Sequence, residues 1–203
     1  SKKYYRPIDN EGHDALLVVV ERLSGFLAVA PLLHGELQKT AEKVGNRTVS
    51  LIQGAGFPRR AKGTMFHDNG VEFRGSFPDK MQQIGYSDVI ISLTSGAPSA
   101  HVERAVGIIR ALINTKLAVQ GKPKRKWWPL AKQLAKSYNE TPMTDARAPY
   151  SPNQIKAMRG RDLAHIVSSM EKSGSKRVVK QGRIVDGARV TKNLKVLKVG
   201  DWV

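Results

Sequence analysis

The stretch ALLVVVERLSGFLAVAPL, residues 15–32, decides the fold class. Residues 15–21 form a short, β-branched apolar run with the composition of a buried central strand. Two or three turn residues break the run, and 24–32 returns as an antiparallel strand. Upstream, YYRPID (4–9) reads as an edge strand, where Pro7 is tolerated, with NEGHD as the turn between. Downstream the spacing becomes helical. Leu37, Ala41, Val44, Val49 and Ile52 place a helix within 33–54, with Gly45-Asn46 as a potential break. GTMF (63–66) predicts a strand, PDKMQQIG (78–85) a short helix and SDVIISLT (87–94) a further strand. Pro98 then opens a long helix over 99–119. Val102, Val106, Ile109, Ile113 and Leu117 form its apolar stripe; Glu103, Gly107, Arg110 and Asn114 lie on another face. Helices over 127–138 and 152–159 complete the order β-β-β-α-β-α-β-α-α. This is a mixed α/β layer, not the strict alternation of a doubly wound sheet.

The chain has 203 residues and is 40% hydrophobic, enough to bury a sizeable core. Lys plus Arg number 34 against 17 Asp plus Glu, giving +17. Such a surface attracts polyanions, with nucleic acid ahead of an anionic membrane. The absence of Cys excludes disulfides, thiol catalysis and zinc sites built on Cys. No run reaches the ~18 apolar residues of a membrane span. The opening SKKYYRPIDN lacks an apolar signal core, so the expected home is intracellular, in the nucleus or another nucleic-acid-containing compartment.

Beyond Arg161 the composition changes: nine Lys or Arg fall between 172 and 198 among sparse Val and Ile. Residues 161–193 are expected to be a basic linker, with 172–198 extended or only locally paired when free. Residues 194–203, which include VLKVGDWV, are expected to begin a small β module.

Three carboxylates sit at the ends of predicted elements. Asp9 ends the first strand, Asp68 follows the fourth in MFHDNGVEFRG (65–75), and Glu103 lies near the start of the long helix. A hard divalent cation takes several oxygen ligands, and a two-cation site needs acids converging from separate elements. Each acid also has a plainer reading, as a turn residue or as a first-turn acid at the positive end of a helix dipole. Asp14 competes with Asp9 for the first position. Glu72 reads as turn support, and His67 and His101 as packing or hydrogen-bonding groups.

Five blocks carry a family likeness. ALLVVVERLSGFLAVAPL, HDNGVEF, SLTSGAPSAHVERAVGIIRALIN, SYNETP and YSPNQI resemble, in that order, the catalytic core of retroviral and gypsy-type retrotransposon integrases. VLKVGDWV is similar to the opening of the small β-barrel or chromodomain-like module that follows such cores. The resemblance implies a catalytic core over 1–160 with a ribonuclease H-like fold, a five-stranded mixed sheet with helices on both faces. It implies that Asp9, Asp68 and Glu103 bind two Mg²⁺ or Mn²⁺ ions for phosphodiester hydrolysis and DNA strand transfer. DNA ends and target DNA would be the partners, and an active enzyme would be a homo-oligomer. Two features depart from the family: 34 residues separate Asp68 from Glu103, one fewer than usual, and with no Cys the sequence holds no His2Cys2 zinc module, which is either lost or outside this chain.

Cations beside these acids are candidates for phosphate contact. Arg104 and Arg110 flank Glu103, although a solvated helix face explains them equally well. KPKRKWW (122–128) offers Lys122, Lys124, Arg125 and Lys126, while its two Trp side chains read as core closure. Arg177, Lys180, Arg183 and Arg189 are the tail candidates. A second reading uses the same residues without catalysis: an integrase-derived scaffold, retired from chemistry, binding RNA in a ribonucleoprotein such as a ribosome-like particle.

Overall fold

A computed structural model describes residues 10–34, 41–57, 63–67, 70–90, 99–119 and 126–184. Its elements are β1 (His13–Val20), β2 (Leu27–Leu33), α1 (Ala41–Gly54), β3 (Gly63–His67), a 3₁₀ turn (Val71–Phe73), α2 (Phe77–Gln83), β4 (Tyr86–Ile90), α3 (Ser99–Val119), α4 (Trp127–Glu140), α5 (Pro152–Ala157) and α6 (Gly160–Ile184). The described chain falls into two units. The described residues of one fall within 10–21 and 27–138, those of the other within 22–26 and 139–184.

In the first unit β1 and β2 pair antiparallel, with Leu17 opposite Ala30 and Val20 opposite Leu27. β3 and β4 pair parallel, from Gly63 opposite Tyr86 to His67 opposite Ile90. The five-stranded mixed ribonuclease H-like sheet expected from the sequence is therefore not what forms. Among the described residues the strands make two separate sheets of two strands each, and the chain is mostly helical. The physical reason is that apolar alternation marks a segment as strand but does not say which edge it pairs with. The predicted edge strand 4–9 lies outside the described residues. Burial shows the same correction locally. Of β1 only Leu17 is buried and its other residues are half-buried, whereas β2 is buried from Leu27 to Leu32. The predicted central strand is thus the less covered member of a hairpin.

The core of this unit forms where β1 and β2 meet α3 and α4. Leu27 and Val29 pack with Ala105, Ile109, Ile113 and Leu117 of α3 and with Trp127, Leu130, Ala131 and Ala135 of α4. Leu16, Val18 and Val20 close on the same cluster, as the two-residue period of a strand requires. The helix α1 packs against both strands and against α2. Gly45-Asn46 does not break it. Gly45 is buried, and a Cβ there would lie 2.8 Å from Lys80 Cδ and 3.6 Å from the Phe77 backbone. The glycine lets α1 and α2 approach closely, which outweighs its poor helix propensity of roughly 1 kcal/mol relative to Ala.

The second unit packs Leu23, Ile155 and Ile166 together, covered by Met143, Met158, Leu163, Val167 and Met170. Arg147 is buried, its Nε and Nη2 donating to Asp145 at 2.9 and 2.5 Å, and its Nη1 to the Leu23 carbonyl at 3.4 Å. Burial lowers the pKa of the Arg22 guanidinium from its ordinary value. A capping box starts α5: Ser151 Oγ accepts from the Gln154 N–H at 3.3 Å and Gln154 Oε1 accepts from the Ser151 N–H at 2.8 Å. Residues 172–184, expected to be extended or only locally paired, are helical, because α6 runs without interruption to Ile184. Lys, Arg and Gln are good helix formers, and Leu163, Ile166, Val167 and Met170 supply a packing face at helical spacing. The predicted β module at 194–203 lies outside the described residues.

Candidate functional site

Glu103 is presented by α3, whose two faces are sharply distinguished. Ala105, Ile109, Ile113 and Leu117 are buried at 4% exposure or less, and Val102 and Val106 are half-buried. Glu103, Arg104, Gly107, Arg110 and Asn114 are exposed. The stripe predicted from the sequence holds, with Ala105 added to it. Nothing lies within 4 Å of a Cβ placed on Gly107, so this glycine is not there to admit a packing neighbour among the described residues. One turn beyond Glu103, it leaves the helix backbone open to an approaching molecule.

The residues that follow Asp9 are tied to the start of α4. Asn10 is fully buried, and its Oδ1 accepts the Trp127 backbone N–H at 3.1 Å, satisfying a first-turn amide of that helix. The Glu11 carboxylate pairs with the Lys126 ammonium, both about half exposed. Trp127 is buried at 1% exposure, while Trp128 stacks on His13 with ring centroids 4.7 Å apart. The core reading of the Trp pair holds: Trp127 is part of the cluster, and the half-buried Trp128 packs against it. Lys126, a candidate for phosphate contact, meets the Glu11 carboxylate at an exposed position. Asp14, the competitor of Asp9, has its Oδ2 2.6 Å from His34 Nδ1.

The residues that bracket Asp68 are held on both sides. His67 ends β3 and is buried at 8% exposure, with Phe73 and Phe77 against its ring. Gly70 has φ −58°, so the Asn-Gly pair is not explained here by left-handed backbone. A Cβ on Gly70 would lie 2.7–2.9 Å from the Glu72 carboxylate, the far end of a side chain that can swing aside, so space does not require glycine there either.

Of the three candidate ligands, Glu103 is described; Asp9 and Asp68 lie outside the described residues, as do Lys122, Lys124, Arg125 and Arg189. Arg177, Lys180 and Arg183 fall on α6. Among the described residues no group of three or more His, Asp or Glu gathers in a way that could hold a metal ion. No described helix is long and apolar enough to cross a membrane. One residue of this region escaped the sequence reading. Asn10 carries no local signal, since its partner lies 117 positions away. His67, expected to be a packing or hydrogen-bonding group, packs against Phe73 and Phe77.

No family model and no curated protein matches the chain. Its backbone is similar to a chain of the cryo-EM structure of the simian T-cell lymphotropic virus intasome in complex with PP2A regulatory subunit B56 gamma, with a TM-score of 0.57. The match is 17% identical and covers 72% of this chain and 49% of that one. At that identity the likeness is one of fold. This chain spans about half the length of that neighbour.

Proposed function

We propose that the chain is an integrase-like polynucleotidyl transferase core, which hydrolyses phosphodiesters and transfers DNA strands with Asp9, Asp68 and Glu103 as metal ligands. The observation that carries this reading is the exposure of Glu103 on the solvent face of a helix whose other face is sealed into the core. The helix fixes the backbone from which this acid projects and leaves the carboxylate open to a ligand. The fold likeness to a chain of an intasome and the five sequence blocks in family order support it.

An all-carboxylate donor set fits a hard divalent cation, Mg²⁺ or Mn²⁺, and offers nothing to a soft one. Two such ions supply Lewis-acid activation of an attacking oxygen and charge stabilisation at the leaving oxygen. The chain's own contribution is positional. α3 fixes Glu103, and Asn10 anchors to α4 the segment that follows Asp9. Gly107 leaves room for a polynucleotide backbone, with Arg104 and Arg110 at hand for phosphate. Lys122, Lys124, Arg125, Lys126, Arg177, Lys180, Arg183 and Arg189 are proposed to extend that contact.

The test is Mg²⁺- or Mn²⁺-dependent nicking and joining of DNA by the purified chain in an assembled complex. Absence of both, with nucleic-acid binding retained, would transfer the chain to the scaffold reading. Binding itself should weaken steeply with salt, because each neutralised phosphate releases counterion. Six contacts give a log–log slope of about −5 on duplex DNA. A slope near zero would show that the cations do not sit on phosphate.

A further inference from the structure

We propose that Trp128, His13 and Leu33 form a stacking shelf for an unpaired base of single-stranded nucleic acid. The inference rests on the chain binding nucleic acid, as the proposed function requires. The shelf originates in a bulge of the β1–β2 hairpin. His13 stands opposite Leu33 and Ala15 opposite Leu32, so Asp14 is an extra residue on β1. Leu16, Val18 and Val20 face the cluster of α3 and α4, and an unbroken strand would put Asp14 on that side too. The extra residue turns His13 there instead, onto Trp128, with ring centroids 4.7 Å apart and planes 20° from parallel. On β2 the same side carries Leu27, Val29 and then Leu33, which is 46% exposed.

Trp128 backs the shelf, and His13 is its working surface. Trp128 packs on the core cluster, and its Nε1 is buried without a hydrogen-bond partner among the described residues. A phenyl ring would fill such a place without stranding an N–H, so the wide indole is explained by the ring it supports. His13 is held at its own edge, where Nδ1 donates to the Asn10 carbonyl at 3.0 Å. Half-buried, the residue keeps part of its surface in solvent. A backed ring beside an exposed leucine is a flat apolar surface, and every base has a π-face to lay on it. Charge does not compete here. The neighbouring Lys126 ammonium is matched by Glu11, so on a chain of +17 this spot carries little net charge, and the ring itself has to supply the affinity.

The test measures binding of the full chain to labelled oligothymidylate, and to an abasic strand of the same length and charge, by anisotropy across a salt series. His13→Phe keeps a ring, His13→Asn keeps a donor for the Asn10 carbonyl without one, and Leu33→Ser strips the exposed edge. On oligothymidylate the Phe variant should stay within about threefold of wild type, the Asn variant should lose about tenfold, and the Ser variant about fivefold, as loss of one stacked base predicts. On the abasic strand all three should match wild type, with an unchanged salt slope. Should the Asn variant fail to fold, the comparison of Leu33→Ser with His13→Phe decides. Equal wild-type affinity for the two strands, or losses in the Asn and Ser variants that the abasic strand shares, overturns the shelf and leaves nucleic-acid binding standing. If the wild type binds neither strand, nucleic-acid binding itself fails, and the shelf falls with it.

Discussion

Asp68→Asn should reduce metal-dependent nicking and joining by on the order of 10³-fold, while DNA affinity stays within about twofold of wild type. The substitution keeps size and shape but removes a ligand charge. Metal assistance supplies several kcal/mol of transition-state stabilisation, and each 1.36 kcal/mol is about a factor of ten in rate. Ground-state binding depends instead on cations spread over a chain of charge +17, which one neutral substitution hardly alters. Single-turnover rates and a filter-binding isotherm on the same preparations separate the two. An Asn variant cleaving at the wild-type rate would remove Asp68 from the chemistry.

Trp127→Ala is expected to have the largest effect on stability. The side chain is almost fully buried, in the cluster shared by β2, α3 and α4. Truncating a buried Trp costs about 3–5 kcal/mol through lost transfer energy and an unfilled cavity. At roughly 2–4 °C per kcal/mol for a chain of this size, the melting midpoint should drop on the order of 10 °C. Trp127→Phe, which leaves a smaller void, should fall between. A melt unchanged in the Ala variant would mean that this cluster is not the core of its unit. Because α3 presents Glu103 from the other side of the same cluster, the Ala variant should also lose any metal-dependent activity at temperatures well below its midpoint.

What could be read from the sequence was local. The long helix over 99–119 was legible because Ile109, Ile113 and Leu117 repeat at helical spacing, and that repeat placed Glu103 and Gly107 on the open side. The hairpin of 13–20 and 27–33 was legible from β-branched runs around a turn. Sheet membership was not, because pairing is a matter between segments and alternation within each of them is silent about it. The basic stretch from 172 to 184 misled by charge. Attention to its cations hid the helix-forming character of Lys, Arg and Gln, which continues α6. Asn10 could not have been found at all, since a buried amide–side-chain bond between residues far apart leaves no local trace.

That bond between Asn10 and Trp127 also orders events in time. Helix 99–119 needs only its neighbours, and an isolated helix relaxes in about a microsecond or less. Asn10 must wait for a partner 117 residues downstream. On a ribosome adding about 5–20 residues per second, that wait is on the order of 10 s. Throughout that interval the segment next to Asp9 has no α4 to hold it, whatever the β1–β2 hairpin has already achieved. The α4 side chains that complete the packing of α3 arrive at the end of the same interval, so the first unit acquires its core with its end, not with its beginning.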